Sequence, residues 1–150
     1  MNAKNSDALQ FLIFLSNEFH FAIDVLDVVE IIPLSKTHSE MPAGGALNKF
    51  KYQDRQLSLI NANEAFFRTP GERPAKFKVL IIECSKTRIA LAVDSAEEIL
   101  HVSPEFFKQT RQQDALLCSE LLRGTVEKDE QVFFVIDTRS LFALSEVKEH

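Results

Sequence analysis

Asp24 and Asp94 each close a short apolar run, Phe21-Ala-Ile-Asp24 and Leu91-Ala-Val-Asp94. Two carboxylates in hydrophobic surroundings are the first arrangement to test for general acid–base chemistry. That chemistry needs both groups in one cleft, whereas an aspartate at a strand end is placed to accept the backbone amides of the following turn. The same residue at the same place in two similar segments points to capping. A nucleophile would require Cys84 or Cys118 beside an activating histidine, and His20, His38 and His101 are the internal candidates; no spacing pairs them. Cys84 alternates with Leu80 and Ile82 as a core residue does, and both cysteines read as reduced and buried. The histidines show no metal-ligand spacing. With 4 glycines in all and neither a P-loop nor a dinucleotide-binding glycine pattern, there is little scope for a phosphate cradle. No catalytic residue, metal ligand or cofactor is assigned.

The elements that would position such groups are β-rich. The 150 residues are 45% hydrophobic and 26% charged, and 13 phenylalanines with no tryptophan make aromatic burial a matter of packing. A net charge of -5 opposes binding to nucleic acid or an anionic membrane. No apolar run reaches the roughly 20 residues of a membrane span, and the opening residues lack a signal-peptide layout. A cytoplasmic protein without direct membrane insertion is expected.

Residues 10–24 read as a hairpin turning at Ser16-Asn-Glu18. Val25 to Ile32 fits a short helical turn or a bent strand equally well, and Pro33 ends it. Ser35 to Lys49 reads as a loop, Leu57 to Ile60 as a strand after the polar turn Gln53-Asp-Arg55, and Arg68 to Lys76 as an exposed connection. The pattern then returns. Phe21-Ala-Ile-Asp24, Asp27, Val29 and Ile32 match Leu91-Ala-Val-Asp94, Glu97, Ile99 and Val102 at one offset of 70 residues. Phe11-Leu-Ile-Phe14 corresponds to Val79-Leu-Ile-Ile82, and Leu57-Ser-Leu-Ile-Asn61 to Phe133-Phe-Val-Ile-Asp137. Two similar small β units follow. Ser103 and Pro104 form a plausible helix start. Asp114 to Leu122 could be helical by propensity, but the favoured reading pairs Leu121 to Val126 with Val132 to Ile136, and Asp137 or Thr138 can cap a final helix running to about Val147.

Three ordered blocks carry a resemblance. Phe11-Leu-Ile-Phe-Leu15 with Phe21-Ala-Ile-Asp-Val-Leu-Asp-Val-Val-Glu-Ile-Ile-Pro33 is similar to the opening of CheW-like domains. Val79-Leu-Ile-Ile-Glu-Cys84 with Ile89 to Leu100 and Ser103-Pro-Glu105 resembles the start of their second lobe, and Leu122-Arg-Gly-Thr-Val126 with Gln131 to Asp137 its end. The resemblance spans about residues 9–144 as one domain. It implies an all-β fold of two SH3-like five-stranded barrel lobes sharing a core, with short helices and a C-terminal helix: lobe 1 about 10–66, a connection at 67–77, and lobe 2 about 78–142.

By the same resemblance, the chain is expected to be a non-enzymatic adaptor that couples a methyl-accepting chemoreceptor-type protein to a CheA-type histidine kinase, with recruitment to membrane receptor clusters through those partners. The receptor surface is expected at Val28, Glu30, Ile31, Gln53, Asp54 and Arg55, and the kinase surface at Phe50, Leu57 and Leu59. Where the family has glycine, arginine and glycine, this chain has Asn48, Gln53 and Asp54, so the partner expected to face Glu30 is Gln53 or, two residues on, Arg55. Two alternatives are a divergent inhibitor that binds the kinase alone and a small enzyme using Asp24, Asp94 or Cys84.

Overall fold

Four tight hairpins set the local structure. The computed structural model describes residues 8–33, 47–69, 77–109 and 116–147. β1 (Leu9–Ser16) turns into β2 (Phe19–Asp24) at Asn17 and Glu18, whose φ angles are 50° and 70°. β6 (Lys78–Cys84) turns into β7 (Thr87–Val93) at Ser85 and Lys86, φ 52° and 70°, and β10 (Leu122–Lys128) into β11 (Gln131–Ile136) at Asp129 and Glu130, φ 54° and 66°. Two successive left-handed residues make the type I′ turn whose twist matches the strands it joins. None of the three pairs contains glycine, so each turn carries a steric penalty that the strands must outweigh. In the fourth hairpin, β4 (Leu47–Tyr52) to β5 (Arg55–Asn61), Gln53 has φ 57°.

Between hairpins the chain bends. A single 3₁₀ turn at Val25–Asp27 leads into β3 (Val28–Pro33), so the segment left open as helix or strand contains both. β8 (Ser95–Val102) occupies the matching place in the second half. Pro104–Phe106 forms one 3₁₀ turn without a Ser103 side-chain cap, followed by the two-residue β9 (Phe107–Lys108). Residues 34–46, 70–76 and 110–115 lie outside the described residues. The loop expected over 35–49 therefore ends earlier than anticipated, because Leu47 to Lys49 belong to β4. α1 (Ala62–Ala65) follows β5, and α2 (Thr138–Val147) follows β11. Of the two candidate caps for α2, Asp137 serves: its Oδ1 accepts the Ser140 amide at 3.1 Å.

Both faces of the central hairpins are buried, which explains their unbroken apolar runs. On β1, Phe11 and Ile13 enter one small core with Ala22, Val126, Phe133 and Val135. Leu12 and Phe14 face the opposite way, into a larger central core with Phe21, Ile23, Phe66, Leu80, Ile82 and Leu91. On β6, Val79 and Ile81 enter a third core with Tyr52, Leu57 and Leu59, while Leu80 and Ile82 face the centre. Phe21 stacks on Phe14 at 5.3 Å and on Phe66 at 5.1 Å, and those two rings lie 6.3 Å apart, so the three form a compact triangle.

One curled sheet runs β8-β1-β2-β11-β10-β9 and the other β3-β6-β7-β5-β4. Replacing each strand by its sequence repeat (β1 by β6, β2 by β7, β8 by β3, β11 by β5, β10 by β4) turns the first order into the second, so the duplication is present in topology as well as sequence. The halves nevertheless exchange strands. β3 pairs with β6 and β8 with β1, while β11 runs parallel to β2 and β5 parallel to β7. The division expected at 67–77 separates the two repeats but not the two sheets. At the bend that carries β3 away from its own hairpin, the Leu26 amide donates to Asp24 Oδ1 at 3.0 Å.

Two outcomes follow from this arrangement. Residues 1–69 and 77–150 expressed separately should each lack cooperative unfolding and regain it when mixed, as read by circular dichroism; independent folding of either half would contradict the exchange. Glu130→Gly should raise the urea midpoint by the equivalent of about 0.5–1 kcal/mol, because glycine adopts the left-handed turn position without its side-chain penalty.

Candidate functional site

β3 is an edge strand whose outer side chains are unusually apolar. Val29 is 41% exposed and Ile31 39%, on either side of the exposed Glu30. A register shift between Val28 and Glu30 leaves Val29 outside the pairing with β6, and Pro33 withholds an amide at the strand end. Val28 is half-buried against the central core, so among the expected receptor residues it supports the strand more than it offers a surface.

Glu30 has a partner that sequence reasoning missed. The Tyr52 hydroxyl donates to Glu30 Oε1 at 2.6 Å, and Tyr52 itself is only 7% exposed, its ring packed in the core with Leu57 and Leu59. The group facing Glu30 is thus Tyr52, not Gln53 or Arg55. The hydrogen bond to the carboxylate, with burial adding, holds the phenol above its ordinary value of 10.0. Gln53, Asp54 and Arg55 are exposed at the tip of the hairpin that begins one residue later, so the Tyr52 bond brings this turn to the side of β3.

The expected kinase residues divide differently. Phe50 is half-buried, but Leu57 is 8% exposed and Leu59 is fully buried. Leu57 and Leu59 are therefore core, a correction that the alternation Leu57-Ser58-Leu59 explains: one face of β5 points into the lobe. What this hairpin offers outward is Lys49, Lys51 and Gln56. The strand character of β4 was itself legible in the alternation Lys49-Phe50-Lys51-Tyr52.

The departure from glycine at Asn48 also finds a physical account. Gly124 stands 76 residues beyond Asn48, and a Cβ there would lie 2.3 Å from the Lys108 carbonyl oxygen and 2.8 Å from the Phe107 ring. β9 thus demands glycine on β10, whereas β4, the equivalent strand, is a sheet edge.

The groups considered for chemistry are placed elsewhere. Asp24 caps its own turn, while Asp94 Oδ2 accepts the Asn17 amide at 2.9 Å, capping the β1–β2 turn and not the one that follows it. Cys84 and Cys118 are free thiols and half-buried, more exposed than expected. Burial, with Glu120 adding and Arg68 opposing, pushes the Cys118 thiol up, which disfavours the thiolate. Among the described residues no three His, Cys, Asp or Glu side chains cluster as metal ligands, and His38 lies outside those residues. A cavity of about 210 Å3 between Phe11, Asp24, Leu26 and Arg123 adjoins Leu26, which is 88% exposed. Beside it Thr138 Oγ1 donates to Asp27 Oδ2 at 3.0 Å, and the Arg123 guanidinium lies 5.1 Å from the Phe107 ring centre.

A family model of the CheW-like domain matches residues 10–146. The chain belongs to the CheW-like domain family. Its structure is similar to the crystal structure of the scaffolding protein TtCheW from Thermoanaerobacter tengcongensis, with a TM-score of 0.71 and 14% identity over 86% of this chain and 88% of that one. No curated protein matches the chain. The two curled sheets are thus the two SH3-like lobes of the CheW fold. No helix among the described residues of this CheW-like chain is long and apolar enough to cross a membrane.

Asp27 supplies a pH test of the bend beneath β3. Burial raises its carboxyl above the ordinary 3.8, the Thr138 hydrogen bond opposes this, Asp24 adds to it and Arg123 opposes it. A raised native value means that the contribution of Asp27 to stability is complete below 3.8 and is lost as pH rises through the native value. The stability of Asp27→Asn relative to the parent should therefore increase from acid to neutral pH in urea titrations; a flat difference would show that burial does not dominate.

Proposed function

We propose that this CheW-like chain is a non-enzymatic adaptor that joins a chemoreceptor-type sensor to a CheA-type histidine kinase. The observation that carries the reading is β3, an edge strand presenting Val29, Glu30 and Ile31 to solvent on a domain whose candidate catalytic groups are spent on caps and packing. Exposed apolar side chains around one charge on a sheet edge are suited to protein recognition. The TtCheW crystal structure is that of a scaffolding protein, which agrees with such a role. The receptor surface in this reading is Val29, Glu30 and Ile31 with the turn residues Gln53, Asp54 and Arg55. The kinase surface is the outer side of the β4–β5 hairpin around Phe50, where Lys49 and Lys51 also stand outward. The protein would work in the cytoplasm, drawn to receptor clusters by these contacts.

The kinase-only inhibitor remains the second reading, favoured by one observation: the Glu30 carboxylate is already engaged by Tyr52, which leaves less of it for a receptor. Titration of Glu30→Lys against a receptor fragment and a kinase fragment separately discriminates them. Under the adaptor reading, receptor binding weakens by about 2–5 kcal/mol while kinase binding holds. Loss of both, or of neither, would place the receptor surface elsewhere; kinase binding with no receptor binding by the parent protein would support the inhibitor.

A further inference from the structure

In the five-stranded sheet, β3 and β4 occupy opposite edges, with β6, β7 and β5 between them. A curled sheet brings such edges toward each other without backbone pairing, and here a side chain spans the gap. Tyr52 sits at the last position of β4, its ring clamped in the core, so its hydroxyl has little freedom of direction when it meets Glu30 Oε1. The other lobe makes an edge contact from the corresponding place by different means. Lys128, 76 residues on, ends β10 and donates from Nζ to the His101 carbonyl of β8 at 3.3 Å. A flexible ammonium on a backbone oxygen leaves every side chain of β8 as it was; a rigid phenol on Glu30 orients a side chain of the docking strand.

We propose that Tyr52 is a positioning residue for docking: its hydroxyl latches β3 to β4 and takes one acceptor site on Glu30 Oε1, so that a partner meets a carboxylate of fixed direction whose more open oxygen is Oε2. Bidentate recognition by arginine uses both carboxylate oxygens in parallel. The partner's donor, from a lysine, an amide or a hydroxyl, therefore goes to Oε2, and a guanidinium fork would have to share Oε1 with the phenol. The latch stands on the geometry alone, while the clause about the partner rests on the adaptor reading above.

Tyr52 is the chain's one tyrosine, so phenolate absorbance reports on it without interference. In the free protein, Glu30→Gln should lower the phenol titration toward its ordinary range. Tyr52→Phe, which keeps the ring, should speed amide exchange along residues 47–52 and 28–32 on the order of fivefold. The double variant should exchange no faster than either single one, as expected of two groups acting through one bond. Unchanged exchange in both single variants, with an unmoved phenol titration, overturns the latch. Adding a receptor fragment to the parent protein should leave the phenol raised; a fall to the ordinary range on binding shows that the partner displaces Tyr52 and overturns the clause about the partner. Failure of that fragment to bind at all sinks the adaptor reading and the clause with it, while the exchange data on the free protein still decide the latch.

Discussion

Everything in this fold depends on the burial of both faces of two hairpins. A strand with one wet face can slip or detach at modest cost, whereas β1 and β6 place alternate residues into different cores and lose both on moving by a single residue. Phe14 and Phe21, fully buried at the centre, gain their environment only when Leu80, Ile82 and Leu91 arrive from the other half of the chain. Register, strand exchange and the closeness of the two lobes are thus one constraint, and the strained non-glycine turns are tolerated because of it. An alanine at Phe14 or Phe21 would cost about 3–5 kcal/mol by cavity formation, a large share of what a domain of this size has in reserve.

The exposed edge strand β3 is supported from beneath by polar contacts. Asp24 fixes the 3₁₀ turn from which β3 departs, Thr138 at the head of α2 holds Asp27 in that same turn, and Tyr52 holds Glu30 at the strand's middle. The Asp24 contact lies within the segment 24–30, while the other two join α2 and β4 to it, so the edge strand is exposed yet not loose. Preorganisation of this kind lowers the ordering cost when a partner binds. It also explains how residues far apart in sequence, such as Asp27 and Thr138, bear on one surface.

Much of the architecture was legible in residue patterns. The runs Phe11 to Leu15 and Val79 to Ile82 declare strands, the polar pairs between them declare turns, and the offset of 70 declares a duplication. Three things escaped. The pairing of β3 with β6 and of β8 with β1 is invisible to a repeat offset, which says which segments are alike and not which lie together. The family resemblance makes Leu57 and Leu59 a surface, although their alternation with Ser58 points inward. It also sets Gln53 or Arg55 against Glu30, while the residue that reaches Glu30 is the neighbouring Tyr52, whose polar tip on a buried ring is the ordinary way to bridge a core and an edge.

The exchange of strands between halves has a thermodynamic meaning. Two like half-chains that trade strands in this way are arranged as a strand-exchanged dimer would be, with each sheet completed by strands of the other half. Joining them through one connection turns what would be a bimolecular association into a unimolecular one, with an effective concentration set by tether length instead of by expression level. In the fused chain the completion of each sheet by the other half therefore does not depend on how much of the protein a cell contains.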